Sequence, residues 1–243
     1  MVALQDSVIS IICFKWAPRP GYRSKFEAVH VHTLRNMVRR HYPDPHRFIC
    51  ITDDPTGLDA DVEVVPLWDD HAELANPSFK DGPSCYRRLK MFSPDIGKLV
   101  GERFVCIDLD VVIVDDLRPL FNRSEDFVGF RNPVPEWPLN GSMFMMTAGA
   151  RPDVWNSFDP LISPKLTHEA NMRGSDQGWV SYVLGWSEAM WDGGDGVISF
   201  QREVMRKAGR LPKGARVVFF WGKFDPWSRQ ARAVSPWIKE HYR

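Results

Sequence analysis

The sequence predicts an α/β fold with a central sheet flanked by helices, and three observations lead to this prediction. The first is a continuous apolar run, Val8 to Phe14, of the kind that forms a buried parallel strand. The second is an amphipathic helical pattern that follows it and ends near Pro43. The third is a pair of further strand-like runs, 47–52 and 62–67, so that the N-terminal part reads β-α-β-β.

The helix of this opening unit has its own start signal. Ser24 and Glu27 form an S-x-x-E pattern, which predicts a capping box with Ser24 as the N-cap. One helical face is predicted to carry the residues that pack on the sheet: Phe26, Val29, Thr33, Leu34, Met37 and Val38.

The remaining elements follow from local patterns. A helix is expected over 86–92, and another is expected after Pro152. Ser175 is expected to cap a helix over the sequence DQGWVSYVL. Strands are expected at 103–114, 126–130, 142–147, 197–200 and 217–220. Because no repeat, low-complexity tract or clear linker interrupts these patterns, we expect one continuous domain over residues 1–243.

Composition excludes several classes of protein. Lys plus Arg equals Asp plus Glu at 31 each, so the chain lacks the overall basic excess of a dedicated nucleic-acid binder, although a local basic groove remains possible. No apolar run approaches the roughly 20 residues that cross a bilayer. The N-terminus has no basic region or cleavage site typical of a signal peptide. The four cysteines (Cys13, Cys50, Cys85 and Cys106) form no CxxC pair, and we expect a reducing, cytoplasmic location.

The sharpest candidate for chemistry is the pair Asp108 and Asp110, which interrupts an apolar run that continues into VVIV. Two carboxylates in such a run are costly unless something compensates them. If the run is one strand, residues two apart face the same side, so both carboxylates converge on one hard cation. The alternative is a strand end at which the aspartates are simply solvated.

The order of landmarks around this pair resembles the GT-A-fold glycosyltransferases, especially the retaining sugar transferases of family 8. The landmarks are a first strand and loop containing Tyr22, then ITDD, RRLKMF, IDLDVVIVDDLRPLF, LNGSMFMM, SDQGWVS and FFWGKFDPW. The resemblance implies a GT-A fold with a mixed central sheet. It also implies a nucleotide-binding half at 1–130 and an acceptor half at 131–243.

The resemblance implies a role for each matching position. Asp108 and Asp110 would hold Mn²⁺ or Mg²⁺ against the donor diphosphate, and Arg88 would face the phosphates or steady these carboxylates. Asp176 and Gln177 would lie beside the reacting sugar, whereas the residues alone favour a plain helix start. The Asn140-Gly141-Ser142 segment would touch the donor sugar, although an ordinary Asn-Gly turn is the other interpretation. The base and ribose would meet Phe14, Lys15, Trp16, Tyr22 and Asp53.

The C-terminal landmark departs from the family pattern H-x-x-G-x-x-K-P-W. Phe219 replaces the metal-binding histidine, and Asp225 replaces the diphosphate-binding lysine. Lys223 is the nearby residue that supplies the missing charge, while Asp225 or His168 is a candidate for the missing metal ligand. One expected partner is a nucleotide-sugar donor, with UDP as the commonest nucleotide in the family. The other is a hydroxyl-bearing acceptor such as a glycan, with DNA not excluded.

Two other functions fit parts of the sequence. Asp108 to Val112 matches the D-x-D-x-V pattern of haloacid-dehalogenase-type phosphatases, although that pattern normally closes the first strand of its domain. The altered C-terminal landmark is also compatible with a degenerate transferase that only binds a nucleotide sugar. Sugar-nucleotidyl transferases share the GT-A core but use a glycine-rich loop after the first strand. The corresponding loop here, KWAPRPGYR, has one glycine, so this class is discounted.

Overall fold

The computed structural model describes residues 8–17, 25–78, 85–173 and 175–243. The strands of this part of the chain are β1 (Ile9–Lys15), β2 (His46–Thr52), β3 (Glu63–Pro66), β4 (Arg103–Ile107), β5 (Val111–Ile113), β6 (Phe127–Arg131), β7 (Leu139–Thr147), β8 (Ala189–Trp191), β9 (Val197–Ser199) and β10 (Val217–Phe219). Seven of them form a mixed sheet in the order β3-β2-β1-β4-β7-β6-β8. Strands β3, β2, β1 and β4 run parallel, and β7 is antiparallel to both of its neighbours.

The other three strands form a smaller sheet in the order β5-β10-β9. The prediction of one strand over 103–114 is therefore wrong, because the chain leaves the large sheet after Ile107 and enters the small sheet at Val111. Asp108 and Asp110 lie at this junction rather than inside a strand. The physical reason is that a junction lets both carboxylates avoid the apolar interior while the flanking runs stay buried.

The helices are α1 (Ala28–His41), α2 (Gly97–Val100), α3 (Arg118–Phe121), α4 (Asp153–Asn156), α5 (Ser163–Glu169), α6 (Asp176–Leu184), α7 (Arg229–Val234) and α8 (Trp237–His241). A 3₁₀ helix covers Tyr86–Phe92, a π-helical turn covers Phe200–Val204, and a second 3₁₀ turn covers Met205–Lys207. Ser175 caps α6 as predicted, because its side chain accepts a hydrogen bond from the Gly178 N–H.

The predicted start of α1 is wrong. Its N-cap is Glu27, whose side chain accepts from the His30 backbone while the His30 imidazole accepts from the Glu27 N–H at 2.8 Å. Ser24 lies outside the described residues. Four residues of the predicted packed face, Thr33, Leu34, Met37 and Val38, are buried as expected. Val29 is 57% exposed, and Val31 is buried in its place. The helix ends at His41, close to the predicted stop at Pro43.

Two apolar clusters cover the two faces of the large sheet. Along β1, Ile11 and Cys13 belong to one cluster, and Ile12 and Phe14 belong to the other. This alternation is the pattern of a central strand buried on both sides. Among the described residues, no helix has the length and apolar character that crossing a membrane requires.

Candidate active site

A buried arginine lies at the centre of the candidate site. Arg88, on the 3₁₀ helix before β4, is 7% exposed, and its Nη1 lies 3.1 Å from Asp108 Oδ1. Its Nη2 donates to the Gly141 carbonyl, and its Nε lies 3.8 Å from Asp176 Oδ2. The guanidinium also lies 5.8 Å from the ring centroid of Phe14. The geometry favours the interpretation in which Arg88 steadies the carboxylates.

The Nε atom of Arg88 is buried and makes no hydrogen bond within the described part of the chain. Its distance to Asp176 is that of an ion pair rather than of a hydrogen bond. Asp176 itself is 7% exposed. Burial raises the pKa of its carboxyl, and Arg88 and the Gln177 backbone N–H partly offset this rise. In the Arg88–Asp176 ion pair, the charged form of the Asp176 carboxyl is therefore destabilised by its burial.

Strand β7 supplies backbone groups to the same place. Its register against β6 shifts between Gly129 and Phe130, whose partners are Phe144 and Asn140. The residues between these partners are thus released from β6, and their backbone groups bond elsewhere. Gly141 N–H donates to Gln177 Oε1 at 3.0 Å, and the Ser142 carbonyl accepts from the Asp108 N–H at 2.9 Å.

The Asn140-Gly141-Ser142 segment therefore lies in an irregular strand, and the interpretation as an ordinary Asn-Gly turn is wrong. The Asn140 side chain accepts from the Ser142 N–H at 2.9 Å, which fixes this local bend. A Cβ on Gly141 would lie 3.1 Å from Gln177 Cβ, so a larger residue here would press on the start of α6.

The two aspartates of the DxD pair lie outside any strand, so the strand alternation that predicted a common side does not apply to them. Leu109 between them is 2% exposed, whereas Asp108 and Asp110 are both half-buried. Carboxylate oxygens suit a hard divalent cation. However, no group of three or more His, Cys, Asp or Glu side chains within the described ranges could hold a metal.

The residues expected to meet the nucleotide lie at the carboxyl ends of β1 and β2. Phe14 makes edge contacts with the rings of Trp16 at 6.0 Å and Trp68 at 5.7 Å. Lys15 is 5% exposed, and its ammonium lies 3.9 Å from Asp54. Asp53 accepts a hydrogen bond from the Ala17 N–H at 3.3 Å, which ties the chain after β1 to the end of β2. Tyr22 lies outside the described residues.

The C-terminal landmark contributes differently from its counterpart in the family pattern. Phe219 is fully buried and stacks on Phe130 at 5.0 Å, so this side chain serves the core. The next residue, Phe220, donates its N–H to the Asp110 carbonyl at 3.0 Å, which fixes the landmark beside the DxD pair. Lys223 is exposed, and its ammonium lies over the ring of Phe224 at 5.4 Å.

The two candidate replacement ligands occupy different places. Asp225 is 7% exposed and lies five residues after Phe220, whose N–H bonds to the Asp110 carbonyl. His168 is exposed on α5, and its Nδ1 lies 3.1 Å from Ser78 Oγ. His168 contacts Ser78 instead, and the described residues contain no group of three metal ligands that includes either candidate.

Sequence reasoning missed Cys85. This thiol is the partly exposed one of the four cysteines, whereas Cys13, Cys50 and Cys106 are fully buried. Burial within the site raises its pKa well above the usual range, and the carboxylates of Asp176, Asp108 and Asp110 raise it further. The sequence did contain a signal for Cys85: it lies three residues before Arg88 and outside any strand-like run.

No protein-family model matches the chain, and no curated protein sequence is significantly similar to it. Its fold, by contrast, is that of the GT-A glycosyltransferases. The galactosyltransferase LgtC, in a crystal structure with donor and acceptor sugar analogues, matches with a TM-score of 0.62 and 12% identity over 97% of each chain. The glycosyltransferase GlyE of Streptococcus pneumoniae TIGR4 matches with a TM-score of 0.57 and 10% identity. That match covers 95% of this chain and 60% of GlyE. The predicted fold class is thus confirmed.

Proposed function

We propose that this chain transfers a sugar from a nucleotide-diphosphate sugar to a hydroxyl of an acceptor. The proposal is supported by the fold and by one observation above the others. Arg88, Asp108, Asp176, Gln177 and the backbone of Gly141 come from separate parts of the chain and converge on one cluster. These are the positions that the family resemblance assigns to donor binding and sugar transfer.

The nucleotide would lie at the carboxyl ends of β1 and β2, where ligands of open α/β sheets bind. Phe14 and Trp16 offer apolar ring surface there, and Asp53 offers a carboxylate for ribose hydroxyls. Lys15 and Tyr22 complete the set that the resemblance assigns to the base and ribose. UDP is the commonest donor nucleotide of the family, so a UDP-sugar is the first donor to test.

Asp108 and Asp110 would hold Mn²⁺ or Mg²⁺, whose preferred ligands are oxygens. When bound, the cation neutralises charge that builds up on the departing diphosphate. Because the described chain offers two carboxylates rather than a three-ligand cluster, donor phosphates and water would fill the remaining positions. Lys223, on the exposed segment beside the DxD pair, would add positive charge on the diphosphate side.

The remaining chemistry belongs to α6. Asp176, at the first position of this helix, would accept hydrogen bonds from hydroxyls of the donor sugar. The Gln177 side chain, held by the Gly141 N–H, would lie near the anomeric carbon, where its amide oxygen stabilises developing positive charge. Retention at the anomeric carbon rests on the family resemblance. The half at 131–243 would shape the acceptor site.

Isothermal titration with UDP-sugars, with and without Mn²⁺, tests this proposal together with a donor-hydrolysis assay. We expect metal-dependent binding and slow hydrolysis by the wild type. Asp110→Asn should lose the metal dependence and most of the donor affinity. Asp115→Asn is the matched control. Asp110 directly precedes β5, whereas Asp115 lies just beyond the other end of β5 and is exposed.

The outcomes separate the alternatives. Metal-dependent binding without turnover by any donor or acceptor would identify a degenerate binding protein. Trapping of a phospho-aspartate at Asp108 would identify a phosphatase instead. In that class the nucleophile closes the first strand, whereas Asp108 follows the fourth strand of this chain.

A further inference from the structure

The zero net charge of the chain conceals a strong asymmetry along the sequence. Residues 201–243 contain eleven Lys and Arg side chains and three Asp and Glu side chains, whereas residues 1–200 contain twenty and twenty-eight. The last part of the chain thus carries a net charge of +8, and the preceding part carries −8. Overall charge therefore says little about the surface that this C-terminal part presents.

The fold gathers several of these cations on one surface. The Gly209 carbonyl accepts hydrogen bonds from Ser235 Oγ at 2.7 Å and Trp237 Nε1 at 2.9 Å. These bonds hold the segment around Lys207 and Arg210 against α7 and α8. At the other end of α8, Arg40 donates to the carbonyls of His241 and Arg243. The resulting surface, which we name the basic flank, consists of Arg40, Arg206, Lys207, Arg210, Lys239 and Arg243.

All six side chains of the basic flank are exposed, and none forms an ion pair with a described residue. Like charges even crowd one another here. Burial and the neighbouring cation of Arg40 both lower the pKa of His41, and burial followed by the charge of Arg243 lowers the pKa of Arg40. Crowded cations cost free energy in the isolated protein; Glu203 and Glu240 offset part of this cost, and an anionic partner reduces it further.

The basic flank does not have the features of a membrane anchor. Within 201–243, all of which the structure describes, Val234 is the one large apolar side chain that is exposed, at 41%. The tryptophans Trp221, Trp227 and Trp237 are mostly buried. Stable attachment to a lipid surface takes a second, apolar signal in addition to a polybasic patch. Four of the six cations are arginines, whose planar guanidinium matches the oxygens of a phosphodiester.

We propose that the basic flank binds the phosphate backbone of a nucleic acid. Residues 1–200 carry a net charge of −8, so the long-range field of the chain favours the approach of a polyanion from the side of this flank. Two further cations, Arg202 and Lys223, are also exposed, and the hydrogen bond from Gln201 to the Trp221 carbonyl joins the segments that carry them. This inference does not depend on the proposed transferase activity, because it concerns binding in the absence of a donor.

The test is fluorescence anisotropy of a labelled DNA duplex with the full chain, without donor, at salt concentrations from about 50 to about 200 mM. We expect binding that weakens steeply with salt. The triple variant Lys207→Gln/Arg210→Gln/Lys239→Gln should bind on the order of tenfold more weakly. Its slope of log affinity against log salt should fall by about 2 to 3, one unit for each phosphate that the variant no longer neutralises.

The matched control is Lys98→Gln/Arg131→Gln/Lys165→Gln, which removes the same charge from exposed positions elsewhere. The control should retain the wild-type affinity and slope. Equal weakening in both triple variants would overturn the proposal, since it would mean that net charge alone governs binding. Binding to phosphatidylserine vesicles without binding to the duplex would also overturn it, as would the absence of any duplex binding at the lowest salt.

Discussion

Arg88 and Asp108 form an ion pair at 3.1 Å in which the cation is buried and the carboxylate is partly exposed. The same guanidinium lies 3.8 Å from Asp176 on another element. One side chain from the 3₁₀ helix thus sets the positions of two carboxylates that are distant in sequence. This relationship makes Arg88 a positioning residue for the whole cluster.

Replacing Arg88 by Met should destabilise the protein by about 2 to 4 kcal/mol, because the buried Asp176 carboxylate and the Gly141 carbonyl would lose their cationic partner. Donor binding and turnover should fall as well, since Asp108 would lose its fixed orientation. Urea unfolding and titration with a UDP-sugar measure the two effects.

Arg87→Met is the control for this variant, because Arg87 donates to the Trp68 carbonyl and lies 3.5 Å from the fully exposed Asp69. We expect a decrease in stability of about 1 kcal/mol and nearly unchanged donor binding. If both variants behaved alike, Arg88 would have no special positioning role.

Gln177→Ala should lower kcat on the order of 10²-fold and leave donor affinity within a few-fold of the wild type, since its amide would act mainly on the transition state. The variant also leaves the Gly141 N–H without its acceptor, so thermal unfolding must be measured alongside. Steady-state kinetics and calorimetry separate the two effects. An equal decrease in binding and turnover would make Gln177 a binding residue only.

Asp176→Asn should change stability in a pH-dependent way. The folded-state pKa of Asp176 is raised, so the folded protein holds this proton more tightly than the unfolded chain does. The resulting stabilisation is present below the unfolded pKa of about 3.9 and is lost as pH rises through the folded pKa. Because Asn mimics the protonated form at every pH, its stability relative to the wild type should increase as pH rises from about 4 through the folded pKa.

Urea unfolding of both proteins over this pH range measures the effect. A relative stability that falls with pH would contradict the assigned direction of the shift.

The Cys85 thiol should react slowly with iodoacetamide at neutral pH, because its raised pKa leaves little thiolate, and the rate should rise with pH. A bound nucleotide sugar should slow the reaction further if the donor covers this site. Mass spectrometry of the labelled peptides measures both effects. Cys85→Ser should remove the labelling of the native protein, since the other cysteines are fully buried. If no bound donor changed the labelling rate of Cys85, the donor site would lie away from this thiol.

Local patterns predicted much of the fold. The apolar run of β1 and the Ser175 cap of α6 are decided by neighbouring residues, so their signals survive in the sequence. The start of α1 was predicted wrongly because Glu27 and His30 form a reciprocal cap without the usual serine. The break at Asp108 was missed because one long buried strand and two short buried strands in different sheets give the same apolar pattern in the sequence.

The sequence by itself determined the α/β class, the order of its landmarks and the identities of the polar residues among them. Only the tertiary structure decided that Arg88 lies between Asp108 and Asp176, and that Gly141 reaches Gln177. It also decided that cations spread along the C-terminal part lie together with Arg40. The physical reason is that local periodicity reports which face of an element is apolar. The contacts between distant elements depend instead on how their faces pack, and charge along the chain does not report where charge lies on the surface.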